Sequence, residues 1–230
     1  MHLNEAQAYT WTMITVKTVR SRGMFKTFIR GTLLGSICLL SGLALFTAPT
    51  CAEPVPAVGT LLVASPALEG SGFSQSVVLL IQHDENGTMG LIINQPTQTS
   101  AVEMLPKLKS LQSYTGKLYI GGPVAPWGVI MLVQGDDAPE NAYPVIEGIY
   151  SSGDQTLLQE LSNAAAGDAR VRLYAGHAGW LPGQLDAEIL RGSWLVIPAK
   201  RELVFSKTPL ELWESLNGIH SRIMVQVNHE

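Results

Sequence analysis

The chain has 230 residues, 46% hydrophobic and 15% charged, with a mean hydropathy of +0.18. A chain this apolar buries a full core, which excludes disorder as its main state. Two cysteines exclude a disulfide-dense scaffold, and 22 Gly with 13 Pro, lacking a G-X-Y period or heptads, exclude a collagen or a long coiled coil.

Charge is unevenly placed. Residues 1–52 hold Lys17, Arg20, Arg22, Lys26 and Arg30 against Glu5 alone; the remaining 178 residues carry ten basic and eighteen acidic groups, a net charge of −8. Lys107/Lys109 and Lys200/Arg201 are the densest basic groupings after residue 52. Duplex binding needs a basic footprint that neutralises phosphates, so nucleic acid is not an expected partner.

The N-terminal segment has the anatomy of an export signal. After Met24, an internal candidate start, come Lys26 and Arg30, the apolar run Leu33–Phe46 and the small residues Thr50-Cys51-Ala52. The run of about 14 residues is short of the roughly 20 a membrane-spanning helix needs. Cleavage after Ala52 leaves a mature chain without cysteine. Export to the periplasm is the expectation; an uncleaved membrane anchor and a cytoplasmic protein are the alternatives. The chain then divides into a leader (1–52, signal-like over 24–52), an extended Pro-rich lead-in (53–58), one domain (59–217) and a tail (218–230).

Strands are predicted at 60–65, 76–83, 88–94, 117–121, 128–134, 143–149, 170–175 and 194–198. Val77-Val78-Leu79-Leu80-Ile81, Val129-Ile130-Met131-Leu132-Val133 and Trp194-Leu195-Val196-Ile197 are continuous apolar runs, a pattern of strands covered on both faces. Asp84-Glu85-Asn86-Gly87 predicts a hairpin with a four- or five-residue loop. A short helix near Ser100 should break at Pro106. A second helix, 155–166, takes Asp154 as its cap. A third, 182–191, stops at Gly192, and a fourth, 209–217, opens with a Thr208–Glu211 capping box. The predicted fold class is α+β: one compact domain whose mixed, largely antiparallel sheet is covered by three to four helices.

Catalytic signatures do not appear: there is no G-x-S-x-G, P-loop, H-E-x-x-H or C-x-x-C pattern, and no cofactor or metal is expected. His83-Asp84-Glu85 reads as a solvated turn, because neighbours on a strand face opposite ways. Two segments stand out. Gly121-Gly122-Pro123-Val124 follows a strand; paired glycines there allow a close backbone approach, a tight crossed-over turn or an anion-binding nest. Gly176-His177-Ala178-Gly179-Trp180 reads as a strand end and loop leading through Gly183-Gln184 into a helix, with a titratable ring and an aromatic platform. Together with Asn94-Gln95-Pro96 they form three glycine- or proline-marked strand ends expected to share one rim. The candidate ligand-binding residues are Asn94, Pro96, Gly121, Gly122, Pro123, Gly176, His177, Trp180, Gly183 and Gln184.

Four ordered segments carry a family resemblance. They are Gly59 through Val78, His83 through Pro96, Gly121-Gly122-Pro123-Val124, and Ala175 through Glu188 to Trp194, followed by Leu212-Trp213. The domain resembles the YqgE/AlgH family of bacterial proteins over 59–217. The resemblance implies a compact α/β-type domain and no established reaction; the AlgH name reflects a proposed regulatory role in alginate production. The leader is unusual for such proteins. A non-enzymatic module that binds a small molecule or a protein is the expected function. The alternative is a small hydrolase or transferase whose general base is His177 or His83 paired with Asp186 or Glu188.

Overall fold

The computed structural model describes residues 55–106, 109–111, 114–163 and 170–218. The leader 1–52, the end of the helix expected at 155–166 and the tail from 219 lie outside the described residues. Among the described residues no helix is long and apolar enough to cross a membrane.

Among the described residues ten strands form, in order β1 (Thr60–Ala64), β2 (Val77–Asp84), β3 (Gly87–Ile92), β4 (Pro96–Ser100), β5 (Lys117–Ile120), β6 (Val124–Gln134), β7 (Tyr143–Ile146), β8 (Ile149–Ser152), β9 (Val171–Trp180) and β10 (Trp194–Pro198). The helices are short: α1 (Ala101–Met104), α2 (Gln155–Asn163), α3 (Gln184–Leu190) and α4 (Arg201–Val204), with helical residues again at 212–218. The main path of the sheet runs β10-β1-β2-β3-β9-β6-β8-β7, with β4 and β5 branching from β9. All pairings are antiparallel except β5 with β9.

The helix-covered α+β expectation is overturned. The domain is mostly antiparallel β, a sheet curled into a half-barrel with few helices. Glycine and proline read from sequence as strand ends, but here they lie within or beside strands that continue. The segment 176–180, expected as a loop, is the second half of β9; Pro96 opens β4; and β6 begins at Val124 instead of 128. The strand expected at 143–149 is a hairpin, β7 and β8, joined by Glu147-Gly148 with Gly148 at φ +71°. The first hairpin loop is tighter than expected: Asp84 pairs with Gly87, leaving Glu85-Asn86 as the turn.

Helix ends follow local chemistry in part. Asp154 Oδ1 accepts the Leu157 N–H at 2.8 Å, and Ser100 Oγ accepts that of Glu103 at 3.3 Å, both as side-chain caps. α1 ends before Pro106. Thr208 makes no side-chain cap, so the expected capping box does not form. α3 starts at Gln184, behind a left-handed Gly183, and Gly192 at φ +74° ends that region.

Alternation along β1–β3 divides the core. Leu61, Val63, Val77, Leu79, Leu91 and Ile93 face inward with Tyr119, Leu132 and Tyr174 from the other half of the curl, capped by Val204, Leu212 and Leu216. Leu62, Ala64, Val78, Leu80 and Ile92 face the opposite way against Trp180, Trp194 and Leu185. Leu118, Met131, Val133 and Leu173 pack under Leu157 and Leu158 of α2. Strands buried on both faces need no polar alternation, which explains the continuous apolar runs.

Candidate functional site

β9 joins the two halves of the sheet. Its first half, Val171–Ala175, lies between β5 and β6; its second half pairs β3, with Ala178 opposite Gly90, Gly179 opposite Met89 and Trp180 opposite Thr88. The change of partner occurs at Gly176, at φ +69°. A Cβ on Gly176 would lie 2.5 Å from the Gly122 carbonyl oxygen and 2.8 Å from that of Val124. A Cβ on Gly121 would collide with the Gly176 carbonyl, and one on Gly122 with the His177 carbonyl group. The chain entering β6 thus crosses β9 backbone on backbone. The Gly121 N–H donates to the Ala175 carbonyl at 2.8 Å, so this amide is committed to the crossing.

Asn94 is buried and ties the end of β3 to the start of β2. Its Oδ1 accepts the Val77 N–H at 2.8 Å and its Nδ2 donates to the Gln75 carbonyl at 2.9 Å. The Ile120 N–H donates to the Gln95 carbonyl, and Pro96 pairs with Tyr119. Asn94, Pro96, Gly121 and Gly122 therefore adjoin one another. Trp180 pairs with Thr88, near the opposite end of β3 from Asn94. Pro123 is exposed at the start of β6, and Gly183 is the exposed residue before α3.

His177, Trp180 and Gln184 do converge. They line a cleft of about 280 Å³ with Val124, Gly179 and Leu181, walled by Gln82, Asn86, Gly87, Thr88 and Met89 of the first hairpin. His177 and Gly179 share one face of β9, while Ala178 and Trp180 face the core. Gly179 leaves room in the cleft: the nearest atoms a Cβ there would meet are Val124 Cγ2 at 3.7 Å and the His177 ring at 3.9 Å, ordinary contact distances. The rim is apolar, with exposed Val124 and Leu181. His177 is half-buried, and desolvation holds its imidazole below the ordinary value of 6.5, so the ring is neutral at physiological pH.

Trp180 is 5% exposed, so it offers the cleft little surface. Its ring stacks on Phe73 at 6.0 Å and meets Trp194 edge-on at 5.9 Å. Glu188 on α3 anchors the cluster. Its Oε2 accepts the indole N–H of Trp180 at 2.9 Å and of Trp194 at 2.8 Å, and its Oε1 accepts Gln184 Nε2 at 3.0 Å. Burial pushes the Glu188 carboxyl up, but those hydrogen bonds, with the charge of Arg191, outweigh it and leave the group below its ordinary value of 4.5. Glu188 is thus committed to indoles and an amide, and desolvation alone sets the His177 shift, with no carboxylate contributing. His83 is likewise engaged, its Nδ1 2.8 Å from Thr88 Oγ1 across the hairpin.

Sequence reasoning missed the Gln82, Asn86 and Met89 wall. These residues are remote from His177 along the chain, and only the β3–β9 pairing signals their place.

Comparison with known proteins agrees with the motifs. The AlgH-like family model matches residues 61–220. A UPF0301 protein of Methylococcus capsulatus is 36% identical over 159 residues, 68% of this chain and 87% of the relative. One of Chlamydia abortus is 32% identical over 158 residues, 69% of this chain and 83% of the relative. Among solved structures, the crystal structure of a Corynebacterium diphtheriae protein aligns with a TM-score of 0.60 at 29% identity, covering 72% of this chain and 87% of that one. The solution structure of the AlgH protein from Pseudomonas aeruginosa aligns with a TM-score of 0.58 at 29% identity, covering 72% and 89%. The chain belongs to the AlgH-like, or YqgE/AlgH, family, to which UPF0301 proteins and AlgH also belong.

Proposed function

We propose that the protein is a non-enzymatic binding module whose ligand, a small molecule or a short protein loop, seats in the cleft between His177 and the first hairpin. The observation that carries this reading is the built gap at Gly179: a strand position without a side chain, flanked by Val124 and a neutral His177. Ligand sites combine apolar walls with a few directed polar groups, and here the half-buried His177 supplies one, while Thr88, Gln82 and Gln184 line the cleft already hydrogen-bonded to His83, Asp84 and Glu188. The commitment of Glu188 to two indoles argues against a His177–Glu188 general base. The net charge of −8 after residue 52 argues against duplex DNA as a partner.

Untargeted mass spectrometry of small molecules retained by the native protein, together with affinity capture of proteins, tests the reading. Gly179→Val fills the gap at a position with no positive φ, so the fold should persist while a retained molecule or partner is lost. Equal retention by wild type and Gly179→Val, or a turnover that His177→Ala abolishes, would overturn it.

A further inference from the structure

A second cleft, of about 640 Å³, lies away from His177, where β5, β6 and β9 meet α4 and the loop that follows it. Four cationic side chains line it, Lys117, Arg172, Arg201 and Lys207, against the single carboxylate of Glu202. They come from three separate stretches of a domain that is acidic as a whole.

Arg172 is the fixed member. It is 5% exposed, and its guanidinium lies between the Tyr119 and Phe205 rings, 5.1 Å from each centroid. Nη1 donates to the Val204 carbonyl at 3.0 Å and Nη2 to that of Ser206 at 2.6 Å, while Nε is buried without a partner. Arg201 donates only weakly, to the Glu147 carbonyl at 3.5 Å. Among the described residues no carboxylate forms an ion pair with Arg172, Arg201 or Lys207. Capping the end of α4 explains one buried arginine. It does not explain why Arg201 and Lys207 stand beside it without an ion pair of their own, since like charges in one cleft repel unless a counter-charge is present.

We propose that this cleft is a binding site for a small polyanion, such as a phosphorylated metabolite, held between Arg172 at its floor and Lys117, Arg201 and Lys207 at its mouth. Guanidinium groups suit phosphate oxygens because they present paired donors in a plane. The open face admits a ligand larger than a single phosphate, and Arg172, Arg201 and Lys207 together suit a multiply charged one.

Calorimetric titration of the full-length protein with pyrophosphate at low ionic strength tests the site. Saturable binding is expected, weakening as salt rises and insensitive to added acetate at matched ionic strength. The double variant Arg201→Gln/Lys207→Gln should bind at least about tenfold more weakly, since each charged hydrogen bond contributes roughly that factor. Both residues are outside the core, so the thermal melt of the double variant should match wild type. Gly179→Val should bind pyrophosphate normally, which separates this site from the His177 cleft. Absence of saturable binding at millimolar pyrophosphate, or equal binding by wild type and the double variant, would overturn the proposal.

Discussion

The indole N–H of Trp180 donates to Glu188 Oε2 at 2.9 Å, tying the end of β9 to α3. The same oxygen accepts from Trp194 on β10, so one carboxylate orients two core tryptophans. Glu188→Ala leaves both indole donors without their acceptor and should cost about 2 kcal/mol. Glu188→Gln keeps an oxygen and should cost less. Because folding lowers the Glu188 pKa, its contribution is present above the ordinary value of 4.5 and is lost as pH falls through the lower folded value. Urea midpoints followed from about pH 6 to about pH 3 should fall more steeply for wild type than for Glu188→Gln; parallel curves would refute the linkage.

Trp180 and His177 are three residues apart on one strand and should respond differently to truncation. Trp180→Ala removes a ring buried against Phe73 and Trp194 and should cost roughly 3–5 kcal/mol. His177→Ala at the half-buried face should cost below about 1 kcal/mol. Chemical denaturation of both variants decides; near-equal losses would mean that the two faces of β9 are not distinct.

Gly176 should tolerate no side chain. Gly176→Ala combines a left-handed φ with a carbonyl 2.5 Å from the new Cβ, and should cost about 3 kcal/mol or more. Gly183 has a similar φ but open space around it, so Gly183→Ala should cost only about 1–2 kcal/mol. Equal melting temperatures for the two variants would contradict the backbone crossing.

His177 should titrate below 6.5 in the folded protein. The unfolded chain takes up that proton first as pH falls, so the His177 contribution to stability is whole above 6.5 and declines through the window down to the folded pKa. Proton NMR of the imidazole, assigned with His177→Ala, reads the midpoint directly. A midpoint at or above 6.5 would show the ring to be solvated.

The signal-like leader is expected to be cleaved, as an export signal would be. Its charged start, apolar run and small-residue end predict a mature N-terminus near Glu53. N-terminal sequencing of protein purified from cells checks this; a product retaining Met1 or Met24 would reject it.

Hydrophobic runs were the legible part of this protein. The stretch from Val77 to Leu80 announced a strand buried on both faces, and Asp154 announced the start of α2, because both signals depend on residues close in the chain. The ordered motifs likewise pointed to the family, since Gly121-Gly122 and Gly176 are needed wherever two backbones touch. Which backbones touch was a different matter. Gly176 reads as a strand end in sequence, but β9 continues through it because β3 takes over as a hydrogen-bonding partner where β5 ends, and that exchange belongs to the sheet as a whole. The His177 cleft required β3 to pair with β9, and the cationic cleft required Lys117, Arg172, Arg201 and Lys207 to meet from separate stretches of an acidic chain. Local sequence determined the buried strand centres and the caps at Ser100 and Asp154, whose energetics are short-range; the curl of the sheet decided where several strands begin and end and formed the two clefts, whose members interact only across space.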